Sequence, residues 1–266
     1  MKTRIISAII ALLILVPIFF HGGTIFQIAI WLLSVLGLKE MINAYEKEKE
    51  LPIFIKVVSY IVISILLLVN HEIDTIRLGL DFKIITGIFL IYLVPAILYH
   101  DEEVYSIKDG FMLIGILFFL GISFQLLIFV RSLSLKLVIF LFLISIFTDT
   151  FAYTTGLLIG RHKLIKEVSP NKTIEGLIGG TIMGCFISSF YYLTVINPDA
   201  SISAIIITTL FLSVIGQLGD LVFSAIKRHY EIKDFSNLMP GHGGVLDRFD
   251  SILFILLGFM FFINVI

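Results

Sequence analysis

Three clusters of polar residues sit inside or beside apolar runs of this chain, all in its second half. The densest contains Gln217, Asp220, Ser224, Lys227 and Arg228, then Lys233 and Asp234, then Pro240-Gly241-His242-Gly243-Gly244, then Asp247, Arg248, Asp250 and Ser251. Gln217, Asp220, Ser224 and Lys227 recur at helical spacing and share one stripe. Asp247, Asp250 and Ser251 share a face of a following helix in the same way. The two helices enter from one side, so Asp220 and Asp247 can aim at one point. Carboxylates brought together repel unless a cation lies between them, and hard Mg²⁺ with oxygen ligands suits that role. Arg248 and the pair Lys227-Arg228 are candidate phosphate clamps. His242 lacks a cysteine or second histidine at zinc spacing and is expected instead to donate to a ligand.

The second cluster runs Arg161-His162-Lys163, then Ser169-Pro170-Asn171-Lys172-Thr173-Ile174-Glu175-Gly176, then Gly179-Gly180. Lys172 and Thr173 fall where a helix should begin, and a helix N-terminus offers free N–H groups and partial positive charge to a phosphate. Ser169, Lys172 and Thr173 add donors there. Glu175 suits the first turn as a simple cap. In the third cluster Asp149, Tyr153, Gly156 and Gly160 share one helical face. Such a stripe is either a packing groove around a buried Asp or part of a site. Charged groups in a spanning segment cost about 2.5–3.5 kcal/mol each on insertion scales, so each is a functional candidate.

The elements that position these residues are transmembrane helices. Of 266 residues 58% are apolar and 15% charged, and mean hydropathy is +1.06. Soluble domains run nearer to about 25% charged. Apolar runs long enough to span fall at about 4–20, 24–40, 52–69, 84–99, 111–130, 137–160, 174–195, 203–226 and 251–265. A span needs about 20 residues, so the fold class expected is an all-α polytopic membrane protein with about nine transmembrane helices. With a cytoplasmic N-terminus, fifteen lysines and arginines flank the cytoplasmic side. Four (Arg77, Lys83, Arg131 and Lys136) flank the other, as the positive-inside rule requires. The first run lacks a cleavage site and is expected to be retained. Cys185 is alone and forms no intrachain disulfide. Net charge of -1 points to no nucleic-acid partner. Residues 1–136 look like a transmembrane scaffold, and 137–266 like the catalytic region.

The stretch from Ser224-Ala225-Ile226-Lys227-Arg228 through Lys233-Asp234 to His242-Gly243-Gly244-Val245-Leu246-Asp247-Arg248-Phe249-Asp250 resembles the signature of phosphatidate cytidylyltransferases. Asp149 to Gly156 and Ser169 to Gly176 are similar to that family's pattern as well, with Phe151 where a small residue is expected. The resemblance covers residues 149–251. It implies transfer of CMP from CTP to phosphatidic acid, giving CDP-diacylglycerol and pyrophosphate. It also implies Mg²⁺ as cofactor, alone or with a second cation, an active site on the cytoplasmic face of the inner membrane, and a homodimer. On that reading Asp220 and Asp247 bind metal, with Asp250 as a further ligand. Lys172, Lys227, Arg228 and Arg248 hold phosphates, and Ser169, Thr173 and Ser224 donate hydrogen bonds. Asp149 and Glu175 contact either nucleotide or metal. A polyprenol kinase or CDP-archaeol synthase could use the same machinery, and intramembrane acids also suit a secondary transporter.

Overall fold

In lipid a backbone must satisfy itself, and helices do so within one segment. The computed structural model describes residues 13–68 and 82–263. Among them, residues 13–21 are helical and eight further helices follow. These are α1 (Gly23–Tyr45), α2 (Ile53–Leu68), α3 (Phe82–Leu98), α4 (Ile107–Leu133), α5 (Leu135–Ile159), α6 (Ile174–Tyr191), α7 (Ile202–His229) and α8 (Leu246–Phe259). A π-turn, Tyr192–Ile196, extends α6. Helices α1, α4, α5, α6 with its extension, and α7 are each long and apolar enough to cross a membrane; α2 and α3 are shorter apolar helices. The start of the first expected span, Lys2, Arg4, Arg77 and the end of the last expected span lie outside the described residues.

Several boundaries differ from the hydropathy reading, two of them at residues that bear on the site. Helix α1 continues to Tyr45, past the Lys39-Glu40 pair that ends the apolar run. Helix α8 begins at Leu246 and carries Asp247, Arg248 and Asp250 in its first turns, ahead of the apolar stretch. Both helices continue through charged residues that partners in the fold accommodate. The all-α expectation holds with one addition. Strands β1 (Lys163–Ile165) and β2 (Ser169–Thr173) form an antiparallel hairpin between α5 and α6.

Caps set several of the helix starts. Ser106 and Asp109 form a capping box on α4: Asp109 N–H donates to Ser106 Oγ and Ser106 N–H to Asp109 Oδ2. Ser134 caps α5 and Thr173 caps α6. Each such cap contributes about 1 kcal/mol. Helix α4 is central and packs against α1, α2, α3, α5 and α8. The buried core runs along it, through Leu113, Leu117, Leu120, Phe124 and Leu127.

Successive helices alternate direction. At one end Lys49 pairs with Asp109, Glu48 with His229, and Lys172 with Asp220. At the other end Arg131 donates to the carbonyls of Phe19 and Phe20, and Lys136 to that of Val195. All three polar clusters therefore gather at the first end.

Candidate active site

The site is framed by α5, the hairpin, α6, α7 and α8. Helices α5 and α6 approach closely because small residues face each other. A Cβ added to Gly176 would sit 2.6 Å from the Ala152 carbonyl oxygen, and one at Gly180 2.6 Å from that of Thr148. This close approach leaves a cavity of about 580 Å³ beside the seam, lined by Asp149, Tyr153, Gly156, Lys172, Thr173 and Asp220 among others. Small-molecule sites commonly enclose about 300–1,000 Å³. At its polar end Lys172 Nζ lies 2.7 Å from Asp220 Oδ2. At its outer end Tyr153 and Leu157, 71% and 72% exposed, lie on the apolar outer surface.

Along α7 the expected stripe is present. The Gln217 amide donates to Thr181 Oγ1 and the Leu177 carbonyl, fastening α7 to α6. Ser224 Oγ donates to Asp220 Oδ1. Lys227 Nζ lies 2.7 Å from Asp247 Oδ1, and this pair is largely buried. The other Asp247 oxygen accepts the N–H groups of Phe235 and Gly244 at 2.8 and 2.9 Å. Asp247 thus closes the loop between α7 and α8 and holds Lys227.

That loop explains its glycines. The Met239 N–H donates to the Gly243 carbonyl, and the His242 N–H to the Met239 carbonyl, forming a tight turn. Gly241 and Gly243 have φ of 80° and 81°, a region that disfavours a side chain. At Gly244 an added Cβ would stand 2.5 Å from the Glu40 carboxyl carbon. The Arg248 side chain is exposed, and its Nε donates to the His242 carbonyl. Arg228 is exposed and donates to the Ile232 carbonyl.

Asp220 and Asp247 thus hold separate lysines. Asp250, one turn along α8 from Asp247, lies near enough to Asp220, Asp149 and Lys227 for their charges to interact. Asp149 faces the cavity and accepts from Ser251 Oγ at 3.3 Å, joining α5 to α8. Phe151 stacks on Phe147, one turn back along α5. Asp149, Asp220 and Asp250 are hard oxygen donors of the kind a divalent magnesium ion takes. Among the described residues no three such side chains are drawn together as a ready metal site.

The start of α6 differs from a bare anion-binding terminus. Its Ile174 N–H already donates to the His162 carbonyl, and its Gly176 N–H to Thr173 Oγ1. Glu175 accepts from the N–H groups of Arg161 and His162 and lies 2.6 Å from His162 Nδ1, holding the entry to the hairpin. Ser169 pairs with Ile165 at the turn end of the hairpin. In this cluster Lys172 and Thr173 reach the cavity.

One participant lies outside the sequence-derived set. Glu40 of α1, buried, accepts from the N–H groups of Val245 and Leu246 and from Ser236 Oγ. Its only signal in the sequence is an acid at the end of an apolar run.

The cytidylyltransferase family matches residues 2–266. The chain is 37% identical over 257 residues to a phosphatidate cytidylyltransferase of Staphylococcus haemolyticus, covering 96% of each. It is 37% identical over 258 residues to that of Staphylococcus epidermidis and 36% over 259 residues to that of Staphylococcus aureus, again covering 96% of each chain. A match that runs the full length and keeps the signature segment in this geometry settles the relationship: the chain belongs to the phosphatidate cytidylyltransferase family.

Proposed function

We propose that this enzyme transfers CMP from CTP to phosphatidate at the cytoplasmic face of the membrane. The observation that carries the reading is the cavity whose polar end holds the Lys172–Asp220 pair and whose outer end is lined by lipid-facing Tyr153 and Leu157. A lipid phosphate needs that combination, with its head group among charges and its acyl chains in the bilayer. The fifteen-to-four basic asymmetry supports the cytoplasmic side.

A phosphatidate oxygen attacks the α-phosphorus of CTP, the bond to the bridging oxygen of the β-phosphate breaks, and pyrophosphate leaves in line. The nucleophile is already an anion, so the chain need not supply one. The barrier is the mutual repulsion of two polyanions, and catalysis is positioning plus charge neutralisation. Lys172 holds phosphates from within the cavity, Lys227 from beside Asp247, and Arg228 and Arg248 from the exposed rim. Thr173 and Ser224 hold the backbone and the Asp220 carboxylate in place. Asp220, with Asp149 and Asp250 beside it, would hold Mg²⁺, which when bound offsets the charge of the CTP phosphates and the leaving pyrophosphate. Asp247 acts on the site through Lys227 and the loop.

The test is the purified full chain with phosphatidate and CTP labelled at either the α- or the γ-phosphate. Label from the α-position should enter the lipid as pyrophosphate is released. Label entering only from the γ-position identifies a lipid kinase, and no CTP turnover with ion flux in vesicles identifies a transporter; either rejects the reading.

A further inference from the structure

Helix α8 carries Asp247, Arg248 and Asp250 in its first turns, yet its N-terminal residue Val245 supplies no side-chain cap. Unsatisfied N–H groups at a helix start need an acceptor. Here the acceptor comes from 205 positions away in sequence. Glu40 Oε1 accepts the Val245 N–H at 2.9 Å, and Oε2 accepts the Leu246 N–H at 2.8 Å. Oε1 also accepts Ser236 Oγ at 2.7 Å, and Ser236 Oγ in turn accepts the Leu238 N–H. One buried carboxylate therefore fixes both the first turn of α8 and the middle of the loop that leads into it. A full negative charge also matches the positive end of the helix.

Two carboxylates hold this loop from opposite directions. Asp247 reaches back to Phe235 and Gly244, and Glu40 reaches across to Ser236, Val245 and Leu246. The contacts interleave along the chain, so neither can shift without moving the donors of the other. Asp247 Oδ1 is also the partner of Lys227. A displacement of the α8 start by a few tenths of an ångström would pass directly to Lys227, Arg248 and Asp250.

We infer that Glu40 is a positioning residue for CMP transfer: it sets the register of the α8 N-terminus, and through Asp247 it sets the phosphate-facing lysine Lys227. The inference rests on the proposed roles of Asp247 and Lys227. Glu40 touches neither substrate and acts only by displacing Lys227, which stays in place to meet a phosphate, so its loss should lower turnover more than it raises KM for either substrate. The Glu40→Gln change keeps the shape but turns an –NH₂ toward a backbone donor, whereas Glu40→Ala removes all three bonds.

The experiment uses the full chain purified in detergent. It measures kcat, KM for CTP, KM for phosphatidate and the thermal unfolding midpoint of wild type, E40Q, D247N and E40Q/D247N. The expected result is a fall in kcat of tenfold or more for E40Q, with both KM values within threefold of wild type and a folded protein. The double variant should be no slower than the slower single variant, because both residues act through one loop. Wild-type kcat in folded E40Q overturns the inference, as does a loss in the double variant equal to the product of the single losses. If E40A fails to fold, E40Q still decides the question. Absence of CMP transfer by the wild type would reject the activity itself, a different outcome from any that concerns Glu40.

Discussion

Replacing Asp247 by Asn separates the electrostatic part of the site from its shape. Wild-type Asp247 serves three donors: Lys227 Nζ on one oxygen, and the N–H groups of Phe235 and Gly244 on the other. An amide has one oxygen. If that oxygen keeps the two backbone donors, the –NH₂ faces Lys227 and leaves its charge buried without its partner. The Lys227 side chain is 12% exposed and that of Asp247 3%, so solvent cannot replace the lost pair. Removing one member of a buried pair costs about 3–5 kcal/mol. The lower end applies here because the backbone bonds survive, giving a loss of about 3 kcal/mol in stability. If the same misplacement of Lys227 persists in the transition state, turnover falls by roughly 100-fold at about 1.4 kcal/mol per decade. The assay is incorporation of α-labelled CMP into lipid by detergent-purified protein, alongside its unfolding midpoint. K227M/D247N supplies the control. With the lysine charge gone, the facing –NH₂ meets a methionine, so the double variant should be more stable than D247N while staying inactive for want of Lys227. A D247N protein with wild-type turnover and midpoint, or a double variant no more stable than D247N, would refute the pairing as the source of either effect.

Lys172→Met removes both the proposed phosphate donor and the partner of Asp220, and should raise KM for at least one substrate about tenfold in initial-rate measurements; Lys172→Arg should fall between it and wild type. Asp220→Asn should raise severalfold the Mg²⁺ concentration that gives half-maximal activity, while D247N should not, and a shift in D247N would show that Asp247 ligates the ion directly. Gly180→Ala puts a Cβ 2.6 Å from the Thr148 carbonyl and 2.7 Å from Ala152 Cβ. It should lower the unfolding midpoint by an amount equivalent to about 1–3 kcal/mol. Gly179→Ala puts a Cβ 2.5 Å from Thr155 Oγ1 and 2.7 Å from Thr155 Cβ, which side-chain rotation does not move, and should cost a similar amount.

What the sequence made legible was local. Gln217, Asp220, Ser224 and Lys227 are three or four residues apart, so helical periodicity alone puts them on one stripe, and α7 displays them that way. Glycines on both sides of His242 suit a turn, and Gly241 and Gly243 do take positive φ. Long-range pairings were not legible. Nothing in the spacing joins Lys172 to Asp220 or Ser251 to Asp149, 48 and 102 positions apart, because those contacts depend on how α5 to α8 pack. The hairpin escaped for another reason. Strands of 3 and 5 residues, rich in lysine and containing Pro170, carry no alternating apolar pattern. Yet the hairpin delivers the His162 carbonyl to the first N–H of α6, so a terminus that looked open to phosphate is partly closed. Glu40 was hidden by its surroundings. In a run taken as scaffold it read as the end of a span, and its donors are about 200 residues away.

The balance of charge at this end of the bundle bears on why such a site needs a cation. At this end of the bundle Lys172 pairs with Asp220 and Lys227 with Asp247, while Asp149 and Asp250 lie near enough to these pairs for their charges to interact. Each lysine faces a carboxylate at 2.7 Å, which makes its charge tolerable near the membrane interior. Asp149 and Asp250 are then left in excess on the face that the proposal gives to phosphates. Either of these two lysines that turns to a phosphate uncovers a carboxylate. Mg²⁺ held by Asp220 with Asp149 and Asp250, as proposed above, would offset that charge and leave the lysines to the substrates. On the proposed reading the surplus acid would make substrate entry depend on metal, and Asp220→Asn should then appear first as a change in Mg²⁺ dependence.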